Sequence, residues 1–134
     1  MMRLQLALNV DDLETAIEFY QNIFGVEVHK REPGYVNFVV ENPPLKLVLF
    51  EAPGAPARLN HLGVEVFDDA EVAAAGKRLE AANVAFEADA EQVCCYARQN
   101  KVQTTDPQGL MWEWYRVADE SPGREESSHS RVCC

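Results

Sequence analysis

Basic residues are scarce in this chain. Twelve Lys and Arg stand against 22 Asp and Glu, a formal charge of −10. Nucleic acid and anionic membrane surfaces both reward clusters of cations, so neither is expected as a partner. Long apolar runs are missing too, since none approaches the roughly 20 residues of a membrane span. The opening Met1-Met2-Arg3-Leu4-Gln5 contains no apolar signal segment, which makes the cytoplasm the expected compartment. Cysteines number only four, in two adjacent pairs, unlike the spaced framework of a small secreted domain. Reduced thiols are therefore expected. Apolar residues are not lacking: at 47% of 134 residues they suffice for one compact unit, or for two small halves sharing a core.

What is present is one pattern written twice. Gln5-Leu6-Ala7-Leu8-Asn9-Val10, followed by Asp12, matches His61-Leu62-Gly63-Val64-Glu65-Val66, followed by Asp68, at an offset of 56 residues. Both stretches alternate apolar and polar with the period of a strand. Each leads into a helix with an acidic start, where a carboxylate satisfies free N–H groups. The first helix, near 12–24, carries Leu13, Ala16, Ile17, Tyr20 and Phe24 at helical spacing, with Gly25 as its stop. The second, near 69–82, carries Val72, Ala75, Leu79 and Ala82.

Three strand-like runs follow each helix: Val26 to Arg31, Tyr35 to Glu41 and Lys46 to Glu51, then Ala85 to Ala88, Lys101 to Asp106 and Leu110 to Val117. Turn residues separate several of them, as in Pro33-Gly34 and Asp106-Pro107-Gln108-Gly109. The expected fold class is α+β, with two tandem βαβββ modules forming one curved mixed sheet around a metal cavity. The modules span 1–56 and 57–118 of a single 1–118 domain, and the polar stretch 119–134 is expected to be a disordered tail.

Alternation also sorts the faces. Gln5 shares a face with Ala7 and Asn9, opposite Leu4, Leu6 and Leu8. His61 shares one with Gly63 and Glu65, and Glu113 shares one with Met111 and Tyr115, opposite Trp112 and Trp114. Gln5 and His61 are equivalent in the duplication, so a pseudo-twofold pairing of the halves brings them together. One imidazole, one carboxylate and one amide oxygen suit a borderline divalent metal, with Fe(II) first and Mn, Co or Ni as substitutes. Taken singly, each residue has a plainer reading: a hydrogen-bonded histidine, a surface carboxylate, an edge amide. Lys101 reads as a strand-edge cation or as a positive charge near the site. His29, amid charged residues, is expected to face solvent.

Cys94 and Cys95 stand side by side ahead of Tyr96. Neighbouring Cα atoms are about 3.8 Å apart, short of what an ordinary disulfide needs. Two thiolates on one segment suit a soft, thiophilic atom such as trivalent arsenic or cadmium. The doublet falls between the expected strands at 85–88 and 101–106, which makes it part of a long connection of the kind used as a mobile binding loop, lined or gated by Tyr96. Cys133 and Cys134 repeat the doublet. With His129 they form either a second thiophilic trap or a tail pair with no catalytic role, and the tail composition favours the latter.

These residues resemble the vicinal oxygen chelate superfamily of glyoxalases, extradiol dioxygenases and bleomycin-resistance proteins. The carriers are Gln5 to Val10 with Phe19-Tyr20, Asn60 to Val66, and Thr105 to Gly109 with Trp112-Glu113-Trp114-Tyr115. With Cys94-Cys95-Tyr96-Ala97 and Asn100-Lys101-Val102 added, residues 3–117 closely resemble the organoarsenical C–As lyases, sometimes labelled cadmium-induced proteins. The resemblance implies a nonheme Fe(II) dioxygenase with Gln5, His61 and Glu113 on the metal. Cys94 and Cys95 would hold a trivalent organoarsenical such as methylarsonous acid, dioxygen would be the co-substrate, and arsenite would be released. Gln5 departs from the family, which often has His there. Both modules lie in one chain, so a monomer and a homodimer are equally compatible. Two other functions compete. One is a metalloid- or antibiotic-binding module without turnover, in which metal ligands are often absent. The other is a glyoxalase-like isomerase, which wants a carboxylate from the last strand of the first half, where only Glu51 stands.

Overall fold

The computed structural model describes residues 2–94 and 97–120, with only the backbone of 91–94. Ten elements follow the expected double order: β1 (Met2–Val10), α1 (Leu13–Phe24), β2 (Lys30–Glu32), β3 (Tyr35–Val40), β4 (Leu45–Glu51), β5 (Leu59–Val66), α2 (Asp69–Ala81), β6 (Glu87–Cys94), β7 (Ala97–Thr105) and β8 (Met111–Asp119). The strands make an eight-stranded mixed sheet, and the class is α+β. Two compact units divide the chain, one of Arg3–Leu62 and one from Gly63 onward together with the first residues. β5 contributes to both.

In the first unit the strand order is β2-β3-β4-β1-β5. β1 and β4 run parallel, with Gln5 opposite Lys46 and Ala7 opposite Val48; β3 and β4 run antiparallel. The apolar parity of these strands faces α1. Val36, Phe38, Leu47 and Leu49 bury with Leu13 and Ile17, and Leu6, Leu8, Ala16, Tyr20 and Phe24 pack around them. Asp12 caps the helix and its carboxylate accepts from the Thr15 N–H. Hydrogen bonds from the Thr15 hydroxyl and backbone hold the Asp12 carboxyl below the usual carboxylate range. Gly25 ends the helix at φ 63°, in the left-handed region that glycine enters without a Cβ penalty.

In the second unit the order is β5-β8-β7-β6. Val66, Val72 and Val102 form its core beneath α2, with Val64, Leu79, Phe86 and Trp114 packed against them. The Arg78 guanidinium lies 5.9 Å from the Trp114 ring centroid. Trp114, opposite Glu113 in the alternation, thus packs on the side of β8 that faces α2. Ala82 is instead the exposed C-cap of α2.

Two expectations change. The strand expected at Val26 to Arg31 shrinks to Lys30–Glu32, because Val26 and Val28 pack against the α1 core from an irregular stretch. The long connection expected around the cysteine doublet is mostly strand. β6 reaches Cys94 and β7 begins at Ala97, with Cys94 paired to Ala97 and Asp89 to Lys101, and a register shift between Asp89 and Gln92. Ladder hydrogen bonds overrule the low strand propensity of Ala, Asp and Glu here. Cys95, Tyr96 and the tail from residue 121, with His129, Cys133 and Cys134, lie outside the described residues. Among the described residues no helix is long and apolar enough to cross a membrane.

Candidate metal centre

Strand parity that sends leucines toward α1 sends polar side chains to the other face of the first unit. Gln5 on β1 and His61 on β5 are both buried there, at 5% and 1% exposure. The Gln5 Nε2 lies 3.1 Å from the His61 Nε2. The other ring nitrogen, Nδ1, is 2.8 Å from the Asn60 Oδ1. Asn60 donates in turn to the Asn9 Oδ1 at 3.0 Å, and Asn9 donates to the Ala57 carbonyl at 3.0 Å. The structure therefore brings together the two duplicated positions and adds two asparagines to them.

The wall beside His61 is aromatic. The Phe50 ring centroid is 6.5 Å from the imidazole and 5.6 Å from the Tyr35 ring. Asn37 donates to the Tyr35 hydroxyl at 2.9 Å, while its own Oδ1 is buried without a hydrogen-bond partner among the described residues. Lys46, the cross-strand neighbour of Gln5, is buried as well. Sequence reading passed over Asn37, Lys46 and Asn60. The first two were legible in principle, because a polar residue between apolar neighbours on a strand shares the parity of Gln5. Glu51 does not: it has the parity of Leu47 and Leu49, and it accepts from the Leu13 N–H at 2.9 Å as a helix N-terminal partner. The carboxylate that the glyoxalase-like alternative wants is thus committed elsewhere.

In the second unit Glu113 is buried at 3% exposure, on the same face as Tyr115. Its Oε2 meets the Lys101 Nζ at 3.3 Å and the Gln103 Nε2 at 3.4 Å. Glu113 is therefore no surface carboxylate, and Lys101, at 1% exposure on an interior strand, is no strand-edge cation. His29 is exposed, as expected. The side chain of Cys94, and Cys95 and Tyr96 entirely, lie outside the described residues.

Among the described residues no group of three or more His, Cys, Asp or Glu could hold a metal. The candidate set has only two members of those types, and its third is an amide. The donor chemistry nonetheless fits a borderline divalent ion: Gln5 and His61 are adjacent, buried neutral donors, and Glu113 is a carboxylate. Gln5 presents its nitrogen to His61, and a half-turn of the amide presents the oxygen instead.

The family model of the Glyoxalase/Bleomycin resistance protein/Dioxygenase superfamily matches residues 4–114. The cadmium-induced protein CadI of Mycobacterium tuberculosis is 47% identical over 142 residues, covering 100% of this chain and 93% of the relative. A trivalent organoarsenical cleaving enzyme of Thermomonospora curvata is 46% identical over 134 residues, covering 99% and 89%. Among solved structures, the Mn(II)-bound glyoxalase of Novosphingobium aromaticivorans aligns with a TM-score of 0.64 at 17% identity, over 94% of this chain and 44% of that one. A duplicated βαβββ order, a family match across nearly all of it and relatives near half identity along their length make this chain a member of the glyoxalase/bleomycin resistance protein/dioxygenase superfamily.

Proposed function

We propose that this chain is an Fe(II)-dependent dioxygenase that cleaves the C–As bond of a trivalent organoarsenical, such as methylarsonous acid, and releases arsenite. The observation that carries the reading is the buried Gln5–His61 pair, 3.1 Å apart at duplicated positions. A relative named for organoarsenical cleavage, similar along the whole chain, supports the substrate class.

In this reading Gln5, His61 and Glu113 hold the metal through an amide oxygen, an imidazole nitrogen and a carboxylate. Bound iron supplies open coordination positions that activate dioxygen. Cys94 and Cys95 hold arsenic as thiolates, whose softness suits arsenic better than it suits iron. Two sulfur bonds fix the carbon substituent and turn an encounter into an oriented step. The Tyr35–Phe50 wall keeps water from the imidazole.

The balance closes without a further reductant. Methylarsonous acid plus dioxygen gives arsenous acid plus formaldehyde. The C–As bond and one methyl C–H bond break; one oxygen atom ends on carbon as the carbonyl oxygen, and the other ends on arsenic as a hydroxyl that takes up the methyl hydrogen. Carbon loses the electrons that dioxygen gains, and arsenic stays trivalent.

Anaerobic loading with Fe(II), followed by methylarsonous acid and air, tests the proposal. Arsenite and formaldehyde should appear in equal amounts, and His61→Ala should abolish both while its circular dichroism spectrum stays native. Tight binding of the arsenical without arsenite would instead establish a metalloid-binding module. Normal turnover by His61→Ala would remove the metal assignment.

A further inference from the structure

The chain of amides behind His61 has a fixed direction. It starts at the Ala57 carbonyl, which can only accept a hydrogen bond. The Asn9 group 3.0 Å from it must therefore be its NH2, which turns the Asn9 Oδ1 toward Asn60. The Asn60 group 3.0 Å from that oxygen must in turn be its NH2, so the Asn60 Oδ1 faces His61. An acceptor 2.8 Å from Nδ1 requires the ring proton there. In the neutral imidazole the other nitrogen, Nε2, then carries the lone pair, and it lies 3.1 Å from the Gln5 amide, which donates to it. One backbone carbonyl thus sets the tautomer of a buried histidine through two asparagines.

We propose that Asn60, oriented by Asn9, is a positioning residue that holds His61 as the Nδ1–H tautomer and aims its Nε2 lone pair at Gln5. A ring nitrogen that already bears a proton cannot bind a metal, so this tautomer is the one that leaves Nε2 competent. The link to metal binding rests on the proposed function above, but the tautomer assignment does not. Asn9 and Asn60 stand on the outer side of the imidazole, away from Gln5 in the hydrogen-bond chain. Their effect on the site therefore passes through His61.

Nitrogen-15 NMR of the metal-free protein, with the ring neutral, reads the tautomer directly. The chain has only three histidines, and His61→Gln assigns the resonance. Wild type should show Nδ1 protonated and Nε2 unprotonated. Asn60→Leu should give a mixed or inverted pattern, and Asn60→Asp, which keeps the acceptor oxygen, should restore the wild-type one. The amide proton spectrum of each variant checks that it is folded. Asn9→Leu supplies a second break in the relay, expected to loosen the tautomer less.

Mn(II) affinity, measured on the same samples, should fall about 10–100-fold in Asn60→Leu and recover in Asn60→Asp. An Nε2–H tautomer in wild type, or an unchanged spectrum in folded Asn60→Leu, overturns the inference. If His61→Gln binds Mn(II) as wild type does, the metal reading fails, and with it the proposed link between Asn60 and metal affinity; the NMR arm still decides the tautomer.

Discussion

Glu113 illustrates how much one residue's surroundings decide. A buried carboxylate needs a compensating charge or a metal, because desolvation of an unpaired ion is costly. Here Lys101 Nζ supplies charge at 3.3 Å, with the two side chains 0% and 4% exposed. Lys101→Met should leave that carboxylate underpaired and lower stability by about 3 kcal/mol, read as a shift of the urea midpoint without a change in slope. Adding Glu113→Gln to Lys101→Met should recover part of the loss, since the charge that needs the cation is gone. Additive losses in the double variant would mean that the pair does not interact energetically. At this scale the sequence was informative wherever duplication backed it. Gln5 and His61 were marked by their matched positions, and they do meet. Lys101 had no such partner in the pattern, and a lysine on a strand reads as an edge residue until the neighbouring strand is known. Asn60 was illegible because its role lies in a hydrogen bond to the next residue's ring, which alternation cannot express.

Among the elements, helices were read more closely than strands. α1 keeps its expected apolar stripe and its Gly25 stop, because the local signals of cap, spacing and glycine all agree. β6 and β7 were underestimated. Their residues are mostly polar, and their pairing with each other and with β8 is a non-local fact. The α1 cap allows a direct test. Asp12→Ala removes the acceptor of the Thr15 N–H and should lower Tm by a few degrees. The sign with pH follows from the depressed carboxyl of Asp12. Its contribution is fully present above the unfolded aspartate pKa, about 3.9, and is lost as pH falls through the lower folded value. Thermal melts of wild type and Asp12→Ala should thus differ at neutral pH and converge in acid. A gap that persists well below pH 3 would assign the effect to packing and not to the ionised cap.

For the whole molecule, what matters is where the necessary chain ends. Alternation suggested a last strand closing at Val117, but β8 continues to Asp119, which pairs with Arg98 on β7. A cut after Val117 would remove two residues of that ladder, whereas a cut after Glu120 spares every element among the described residues. The two cysteine doublets fall on opposite sides of this boundary. Cys94 ends β6 and Cys95 is the next residue in sequence, while Cys133 and Cys134 come fourteen or so residues after the end of β8. The proposed substrate ligands thus begin at the end of a strand of the same unit that carries Glu113. The chain cut after Glu120 should therefore release arsenite at a rate close to that of the full chain. Cys94→Ser and Cys95→Ser should each lose most of it, because a single thiolate leaves the arsenical free to rotate. Thiolates are the binding form, so affinity for the arsenical should weaken as pH drops below the ordinary thiol range near 8.5. Measuring arsenite from the three variants side by side separates the doublets. A dead truncation beside active serine variants would move the substrate ligand from the β6 end to the tail.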